Sequence, residues 1–257
     1  MNPKIEFLCL IPGVKESYPI SSIKHYKPQW LHDEATEYAR LREEYKQDPI
    51  KIIENGRSVA KCLGIRAMFN TGWVIPTWQD IIIDKEADSD VWSWKTPIAQ
   101  ESLNSKLNSY VNSHDPNSFR KCPHLSKKTP IVKIESPWIA RVPDGYSLMQ
   151  VPIPYQEHDL FSAAGGIFPS SMGYMEVNVQ LLWNTSGRTL IPAGTPLAHL
   201  VLLKNEDIED EVRDISTLEE KVWTAQKTIR NSVYERSEEH TSELQSHHDL
   251  VCRLLLE

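Results

Sequence analysis

Cysteine, glycine and clustered positive charge are all scarce in this sequence. It has 4 cysteines and 10 glycines among 257 residues, and its net charge is −7. Nucleic-acid phosphates require clustered Lys and Arg, so this charge argues against extended DNA or RNA as a partner. No apolar run approaches the ~18 residues of a membrane helix, and the apolar start is too short for a signal peptide. We therefore expect no membrane attachment and a cytoplasmic location, in a cell or an infected host, or a place in a virion.

Patterns typical of metal or disulfide sites are also lacking. The cysteines are Cys9, Cys62, Cys122 and Cys252, with no C-x-x-C spacing among them. Apart from Cys252 near the end of the chain, three cysteines remain, an odd number, which argues against both a disulfide framework and a zinc knuckle. Cys62 is expected to be a buried, inert thiol. The pair His114-Asp115 is typical of a turn, and the acidic run at 80–90 lacks the calcium-loop pattern, so we expect no metal or cofactor.

The last 22 residues, 236–257, differ in character from the rest. Their sequence, RSEEHTSELQSHHDLVCRLLLE, resembles a translated sequencing-library adapter, an artefact typical of metagenome data. We expect the segment to be disordered and without function; an amphipathic helix is the alternative. Without it, two of the 28 basic and five of the 35 acidic residues are lost, and the net charge becomes −4.

The N-terminal residues 1–56 are predicted to form a strand-helix appendage. The apolar alternation of KIEFLCLIP indicates a strand over residues 4–12. The segment at 32–49 has helix formers, early acidic residues and a terminating Pro49, which together indicate a helix. Because its apolar positions are sparse, we expect this helix to lie on the surface.

Residues 57–205 are predicted to form the β-rich core. Short strand candidates occur around Ile52, just before this core, and at 72–76, 80–84 and 91–94, and six more follow within about 75 residues after Thr129. Residues 97–128 are polar and are expected to form a long loop. The fold class is therefore mainly β (α+β), with a β-clip or jelly-roll-like domain. The segment YMEVNVQLLW, residues 174–183, is predicted to be one strand whose later residues are buried on both faces.

A helix is predicted over residues 206–235. Its apolar positions follow one another at spacings of three and four: Ile208, Val212, Ile215, Leu218, Val222, Ala225 and Ile229. Such a stripe indicates an amphipathic helix. We expect it to dock on the sheet, and a subunit contact in a homo-oligomer is the alternative.

Two resemblances bear on function. The segments KCLGIRAMFNTGWVIPTWQDIIID, PWIARVPDGYSLMQVPIP and LIPAGTPLAHLVLL resemble a family of unassigned activity found in phages and bacteria, over roughly residues 57–204. The order of PDGYSL, GGIFPSSMGYMEVNVQLLWN and IPAGTPLAHLVL is also similar to the central motifs of the dUTPase and dCTP-deaminase superfamily. That resemblance implies a nucleotide pocket built on a β-clip scaffold.

The superfamily motifs can be placed residue by residue. Gly145 and Ser147 match the phosphate-holding turn, and Tyr174 matches the position that stacks on the base. His199 stands on the last motif strand, where the superfamily has Gln, so a ligand contact and a hydrogen-bonded core histidine are both open. The hairpin at 168–171 reads Phe-Pro-Ser-Ser and lacks the superfamily's Asp, so no catalytic residue is identified.

The function predicted from these patterns is a phage-type, dUTPase-like scaffold that binds a nucleotide without hydrolysing dUTP. The alternative is a non-enzymatic, homo-oligomeric assembly or virion-associated protein. A cupin-like metal enzyme is a third possibility, but the sequence lacks its His-rich strand pair.

Overall fold

A computed structural model describes residues 3–46, 58–87, 91–98, 110–114 and 130–236. The chain divides into two compact units, one of Met1–Glu44 with Arg57–Glu206 and one of Tyr45–Gly56 with Asp207–Glu257. All strands of the described residues lie in the first unit. The first unit thus contains both the first 44 residues and the β-rich core.

The strands are β1 (Glu6–Cys9), β2 (Ser21–Ser22), β3 (Trp73–Pro76), β4 (Ile81–Lys85), β5 (Trp92–Lys95), β6 (Val111–Ser113), β7 (Ile131–Ile134), β8 (Trp138–Arg141), β9 (Tyr146–Val151), β10 (Phe161–Ala163), β11 (Gly166–Pro169), β12 (Tyr174–Glu176), β13 (Val179–Trp183), β14 (Gly187–Ile191) and β15 (Pro196–Lys204). The helices are α1 (Val14–Ser17), α2 (Gln29–Glu44), α3 (Leu63–Met68) and α4 (Thr217–Arg236). The mainly β fold class is confirmed, and every strand pairing in the described residues is antiparallel.

The strands form four sheets. Their strand orders are β1-β8-β12, β10-β13-β7-β6, β11-β9-β15-β3-β2 and β14-β4-β5. Residues of all four sheets contribute to one large apolar core. The strand predicted at residues 4–12 is confirmed as β1, and those at 72–76, 80–84 and 91–94 as β3, β4 and β5. The loop predicted at 97–128 contains strand β6, although residues 99–109 and 115–129 lie outside the described part of the chain.

A bent two-stranded ribbon connects the first two of these sheets. In one sheet β8 pairs with β12, and in the next β7 pairs with β13, so both chain segments change sheets. At the bend, the Val177 amide donates to the Trp138 carbonyl at 2.9 Å, and the Ser136 hydroxyl donates to the Val177 carbonyl at 2.7 Å. Val177 lies between β12 and β13, outside the strand pairings of both sheets, and these two bonds satisfy its backbone amide and carbonyl.

The prediction of one continuous strand over residues 174–183 was therefore wrong, because the segment forms β12 and β13 in different sheets. Met175, Val177 and Val179 are all buried, as the alternation indicated. The expectation that both faces are buried from residue 181 onward was also wrong. Leu181 and Trp183 are buried while Leu182 between them is only partly so, because β13 continues to alternate.

The five-stranded sheet has two differently packed faces. Leu148 on β9, Leu200 on β15 and Ile75 on β3 point into the large core. The opposite face carries Val74, which packs with Ile23, Ile65, Phe69 and Ile153 in a second, smaller apolar cluster. Because side chains alternate along a strand, Ser147 and His199 lie on this second face.

Helix α2 is a surface helix, as predicted, and only Tyr38 of its residues is buried. In the second unit, the predicted helix over 206–235 begins later than expected. Residues 205–216 have no regular secondary structure, and α4 starts at Thr217. Ser216 explains this start, because its hydroxyl accepts from the Glu219 amide while the Glu219 carboxylate accepts from the Ser216 amide, forming a reciprocal N-terminal capping pair.

Several predictions fall on residues outside the described ranges. They include the adapter-like residues 237–257, the possible strand around Ile52, and Cys122. Among the described residues, no helix is both long enough and apolar enough to span a membrane.

Candidate functional site

Two neighbouring strand pairings bracket the candidate site. Arg141, the last residue of β8, lies opposite Tyr174 of β12. Six residues beyond Arg141, Ser147 on β9 lies opposite Pro169 of β11. The connections at 142–146 and 170–173 therefore run between the same two paired ends. The fold thereby brings the turn with Gly145 and Ser147 into the same neighbourhood as Tyr174.

The turn at Pro143–Tyr146 is closed by a hydrogen bond from the Tyr146 amide to the Pro143 carbonyl at 3.1 Å. Its third residue, Gly145, has a φ of 77°, a left-handed conformation that glycine adopts without steric cost. The Asn205 amide donates to the Gly145 carbonyl at 2.7 Å. The turn is thus held in place by Asn205, the first residue after β15.

The Ser147 hydroxyl is buried rather than open to a ligand. It donates to the Asn205 side-chain oxygen at 2.9 Å, across the β9–β15 pair. Asn205 consequently forms two hydrogen bonds that hold the turn: its backbone amide bonds to Gly145 and its side-chain oxygen bonds to Ser147. In this arrangement Ser147 positions the turn, and Asp144 and Gly145 are the residues exposed to solvent.

Tyr174 presents an exposed aromatic ring next to a cation. Its side chain is 63% exposed, and the Arg141 guanidinium carbon lies 5.8 Å from the centre of its ring. Arg141 also contacts Glu6 on β1 at 3.4 Å, and Lys4 contacts the same carboxylate at 3.1 Å. Lys4 first, and Arg141 with it, hold the pKa of Glu6 below its usual value. These ion pairs are exposed, so they contribute little to stability and leave Arg141 available to a competing anion.

Carboxylates are sparse in the bracketed segments. Between residues 141 and 147 the one acidic residue is Asp144, and residues 169–174 contain none. The loop at 170–173 begins with a short 3-10 helix at Ser170–Met172 and ends at Gly173, whose φ is 69°. The loop thus offers hydroxyl and backbone groups instead of a general base.

His199 lies apart from this group. It pairs with Val151 at the far end of β9, four residues along the strand from Ser147, which is ~13 Å. Its ring Nε2 lies 2.7 Å from the Thr71 carbonyl oxygen, and the side chain is buried. Burial lowers the pKa of His199, and the bond to Thr71 partly offsets this. His199 was expected to be either a ligand contact or a hydrogen-bonded core histidine. Within this chain its position is that of a hydrogen-bonded core histidine.

Sequence reasoning missed Arg141 and Asn205. Arg141 lies four residues before Gly145, a spacing that gave no signal because only the strand register brings it to Tyr174. Asn205 follows the last strand and looked like an ordinary loop residue.

The other candidate residues, Cys62 and the tryptophans, do not form a binding site. Cys62 is exposed, so the expectation of a buried thiol was wrong, because it lies between a short 3-10 helix at Val59–Lys61 and α3 and does not enter the core. Trp78 is buried against Tyr110, with 5.1 Å between the ring centres, while Trp92 and Trp94 pack on each other at 5.1 Å. In the described part of the chain, no three His, Cys, Asp or Glu side chains are grouped as a metal site would require.

Comparison with protein-family models and with curated proteins finds no match to this chain. The resemblance to dUTPase-like proteins therefore rests on the quoted motifs.

Proposed function

We propose that the protein binds a nucleotide at the surface formed by the turn at 143–146, the loop at 170–173, Arg141 and Tyr174, and that it does not hydrolyse dUTP. The supporting observation is the pair of registers that brings the two motif segments together. The register of β8 and β12 also places the Arg141 cation beside Tyr174, whereas the turn at 143–146 contains no cation.

The chemistry of the two exposed side chains suits a nucleotide. An exposed tyrosine ring offers a face on which a base can stack, a contact worth about 1–3 kcal/mol per base in single-strand binding proteins. The guanidinium of Arg141 can form two parallel hydrogen bonds with phosphate oxygens. Because both groups are already adjacent, one ligand carrying a base and a phosphate could contact both.

The same surface lacks what hydrolysis requires. A water-activating carboxylate would be expected on the loop at 170–173, where the sequence has Ser170 and Ser171. Asp144 lies on the turn and repels phosphate instead of helping to bind it. The proposal is therefore binding without dUTP cleavage.

Thermal unfolding of the full chain with dUTP, dCTP, dTTP and ATP tests the proposal. A ligand that binds only the folded state raises Tm, by about 2.7 kcal/mol of added stability at a concentration one hundred times its Kd. At least one nucleotide should raise Tm, while pyrophosphate release from dUTP should stay at background.

The exposed site residues allow matched variants. Tyr174→Ala and Arg141→Gln should each weaken the nucleotide-induced shift, whereas Tyr155→Ala, at another exposed tyrosine, should leave it unchanged. If none of the four nucleotides shifts Tm, the binding proposal is wrong. If dUTP is cleaved and Tyr174→Ala abolishes cleavage, binding is retained but the non-hydrolytic part is wrong.

A second candidate function is homo-oligomeric assembly through α4, which one observation favours. Ile215, Leu218 and Trp223 are all at least half exposed, although such residues are usually buried. Within α4, Leu218, Val222 and Ala225 follow the four-and-three spacing of a coiled-coil seam, and Ile215 lies just before the helix. Exposed apolar stripes of this kind often form subunit contacts.

Light scattering coupled to size exclusion measures this association directly. The full chain should elute as an oligomer, and Leu218→Glu should reduce its mass to that of a monomer. Thr224→Glu places the same charge at an exposed position of α4 outside the stripe and should leave the mass unchanged. A monomeric wild-type chain would exclude assembly through α4.

A further inference from the structure

A small cleft lies at the other end of the five-stranded sheet from the nucleotide surface. It has a volume of about 240 Å³ and is bordered by Tyr18, His25, Tyr26, Pro76, Gly194 and Pro196, with the Ser17 and Ser21 hydroxyls at its rim. Pro196 begins β15, and Lys204, which pairs with Tyr146, ends it. The two residues are eight positions apart, which is ~25 Å along the strand. The cleft is thus separate from the turn at 143–146.

The two tyrosine walls are held by the backbone. Tyr18 follows α1 and its amide donates to the Val14 carbonyl at 2.8 Å. Tyr26 ends a short 3-10 helix, and its amide donates to the Ile23 carbonyl at 2.9 Å. Ile23 is fully buried, which anchors this helix. The backbone that carries both rings is therefore held before any ligand arrives, which reduces the conformational entropy lost on binding.

Gly194 has no side chain, and this lets the Tyr18 ring approach its backbone closely on one side of the cleft. Its φ is 86°, and a β-carbon built there would lie 3.6 Å from two carbons of the Tyr18 ring. The Tyr18 ring therefore lies across the backbone of the turn before β15. Val74, which is buried, and the rings of Pro76 and Pro196 complete an apolar lining.

The lining favours an uncharged, flat ligand. Among the described residues, those that border the cleft include no Lys, Arg, Asp or Glu, so a charged ligand would find no direct ion pair in this lining. Burial, and then the nearby Glu157 carboxylate, raise the pKa of Tyr26, so its hydroxyl remains a hydrogen-bond donor at neutral pH. The volume equals that of ~8 water molecules and is smaller than the ~300 Å³ at which drug-sized pockets begin.

We propose that this cleft is a binding site for a single uncharged aromatic ring that carries a hydrogen-bonding group, such as a carboxamide, at its edge. The ring stacks between Tyr18 and the prolines, and its polar edge meets the Ser17, Ser21 or Tyr26 hydroxyl. The site is independent of the nucleotide surface, and neither proposal requires the other.

Saturation-transfer NMR on the full chain tests the site with benzamide and nicotinamide as probes. Cyclohexanecarboxamide is the matched control, because it has the same amide on a puckered, saturated ring. The aromatic amides should receive saturation and bind in a titration, and the saturated amide should bind at least about tenfold more weakly. The loss of one aromatic contact is worth about this factor.

Variants locate the binding. Tyr18→Ala should weaken benzamide binding about tenfold, and Tyr18→Phe should not. Should Tyr18→Ala fail to fold, Ser17→Phe introduces a ring at an exposed position and fills the cleft while both tyrosines stay. Tyr174→Ala, on the nucleotide surface, should leave benzamide binding unchanged.

Three results would overturn this site. They are the absence of saturation transfer to both aromatic amides, equal binding of the saturated amide, and unchanged benzamide binding in Ser17→Phe. Loss of benzamide binding in Tyr174→Ala would instead place the amide on the nucleotide surface. Because the nucleotide-induced Tm shift should depend on Tyr174 and benzamide binding on Tyr18, failure of either proposal can be recognised separately.

Discussion

The Nε2 atom of His199 lies 2.7 Å from the carbonyl oxygen of Thr71. A carbonyl only accepts hydrogen bonds, so Nε2 carries the proton and the neutral ring already has the tautomer that this contact requires. Protonating the ring would place a charge in a buried position. Burial accordingly lowers the pKa of His199 below its ordinary value.

This pKa makes stability depend on pH. The unfolded chain takes up a proton near pH 6.5, and the folded chain does so only at lower pH. The unfolded state therefore binds more protons in this interval, and the free energy of unfolding falls as the pH decreases below about 6.5. His199→Gln keeps a donor near Thr71 and does not titrate, so its urea midpoint should fall less between pH 7.5 and pH 5.

His32→Gln is the control, because His32 is exposed on α2. Its pH dependence should equal that of the wild type. His158, whose pKa burial also lowers, should retain part of the dependence in His199→Gln. A His199→Gln profile identical to that of the wild type would contradict the assignment.

Gly72→Ala should be severely destabilising. Gly72 has a φ of 91°, and a β-carbon there would lie 2.1 Å from the Leu200 carbonyl oxygen. The backbone must move, which we expect to cost about 3 kcal/mol or more in urea unfolding. Gly187→Ala has a similar φ of 85° and open space around it, so it should cost only about 1–2 kcal/mol. Equal losses would show that the close contact does not matter.

Ser136→Ala tests the bend of the ribbon. The Ser136 hydroxyl donates to the Val177 carbonyl and accepts from the Trp138 amide at 3.2 Å, and all of these groups are buried. Losing the hydroxyl leaves buried polar atoms unpaired, so the free energy of unfolding should fall by about 1–3 kcal/mol. Ser93→Ala, at an exposed position of β5, should change it by less than about 0.5 kcal/mol.

Deleting residues 237–257 should leave the structure intact. The segment resembles translated adapter sequence, so we expect it to add nothing to the stability of the fold. Differential scanning calorimetry should give the same Tm for the shortened and the full chain, within about 1 °C. A clear decrease in Tm, together with a lower unfolding enthalpy, would show that these residues contribute to the folded state.

The short strands were largely predictable from local pattern. Alternation identified β1, β3, β4 and β5, because a half-buried strand places every second side chain in the core. The bend at Val177 was not predictable, since Met175, Val177 and Val179 alternate without interruption across it. The start of α4 was predicted too early because apolar spacing continued upstream of Ser216, where the capping pair ends the coil.

The candidate site shows the same division. Local motifs were enough to select Gly145, Ser147 and Tyr174, since a turn glycine and a strand tyrosine are properties of short segments. Only the tertiary structure brought Arg141 opposite Tyr174, made Ser147 a buried partner of Asn205 and separated His199 from both. Strand register decides such contacts, and it arises from pairing between residues far apart in the chain. The amino-acid sequence by itself determined that the protein would be mainly β, because alternation and turn residues act locally.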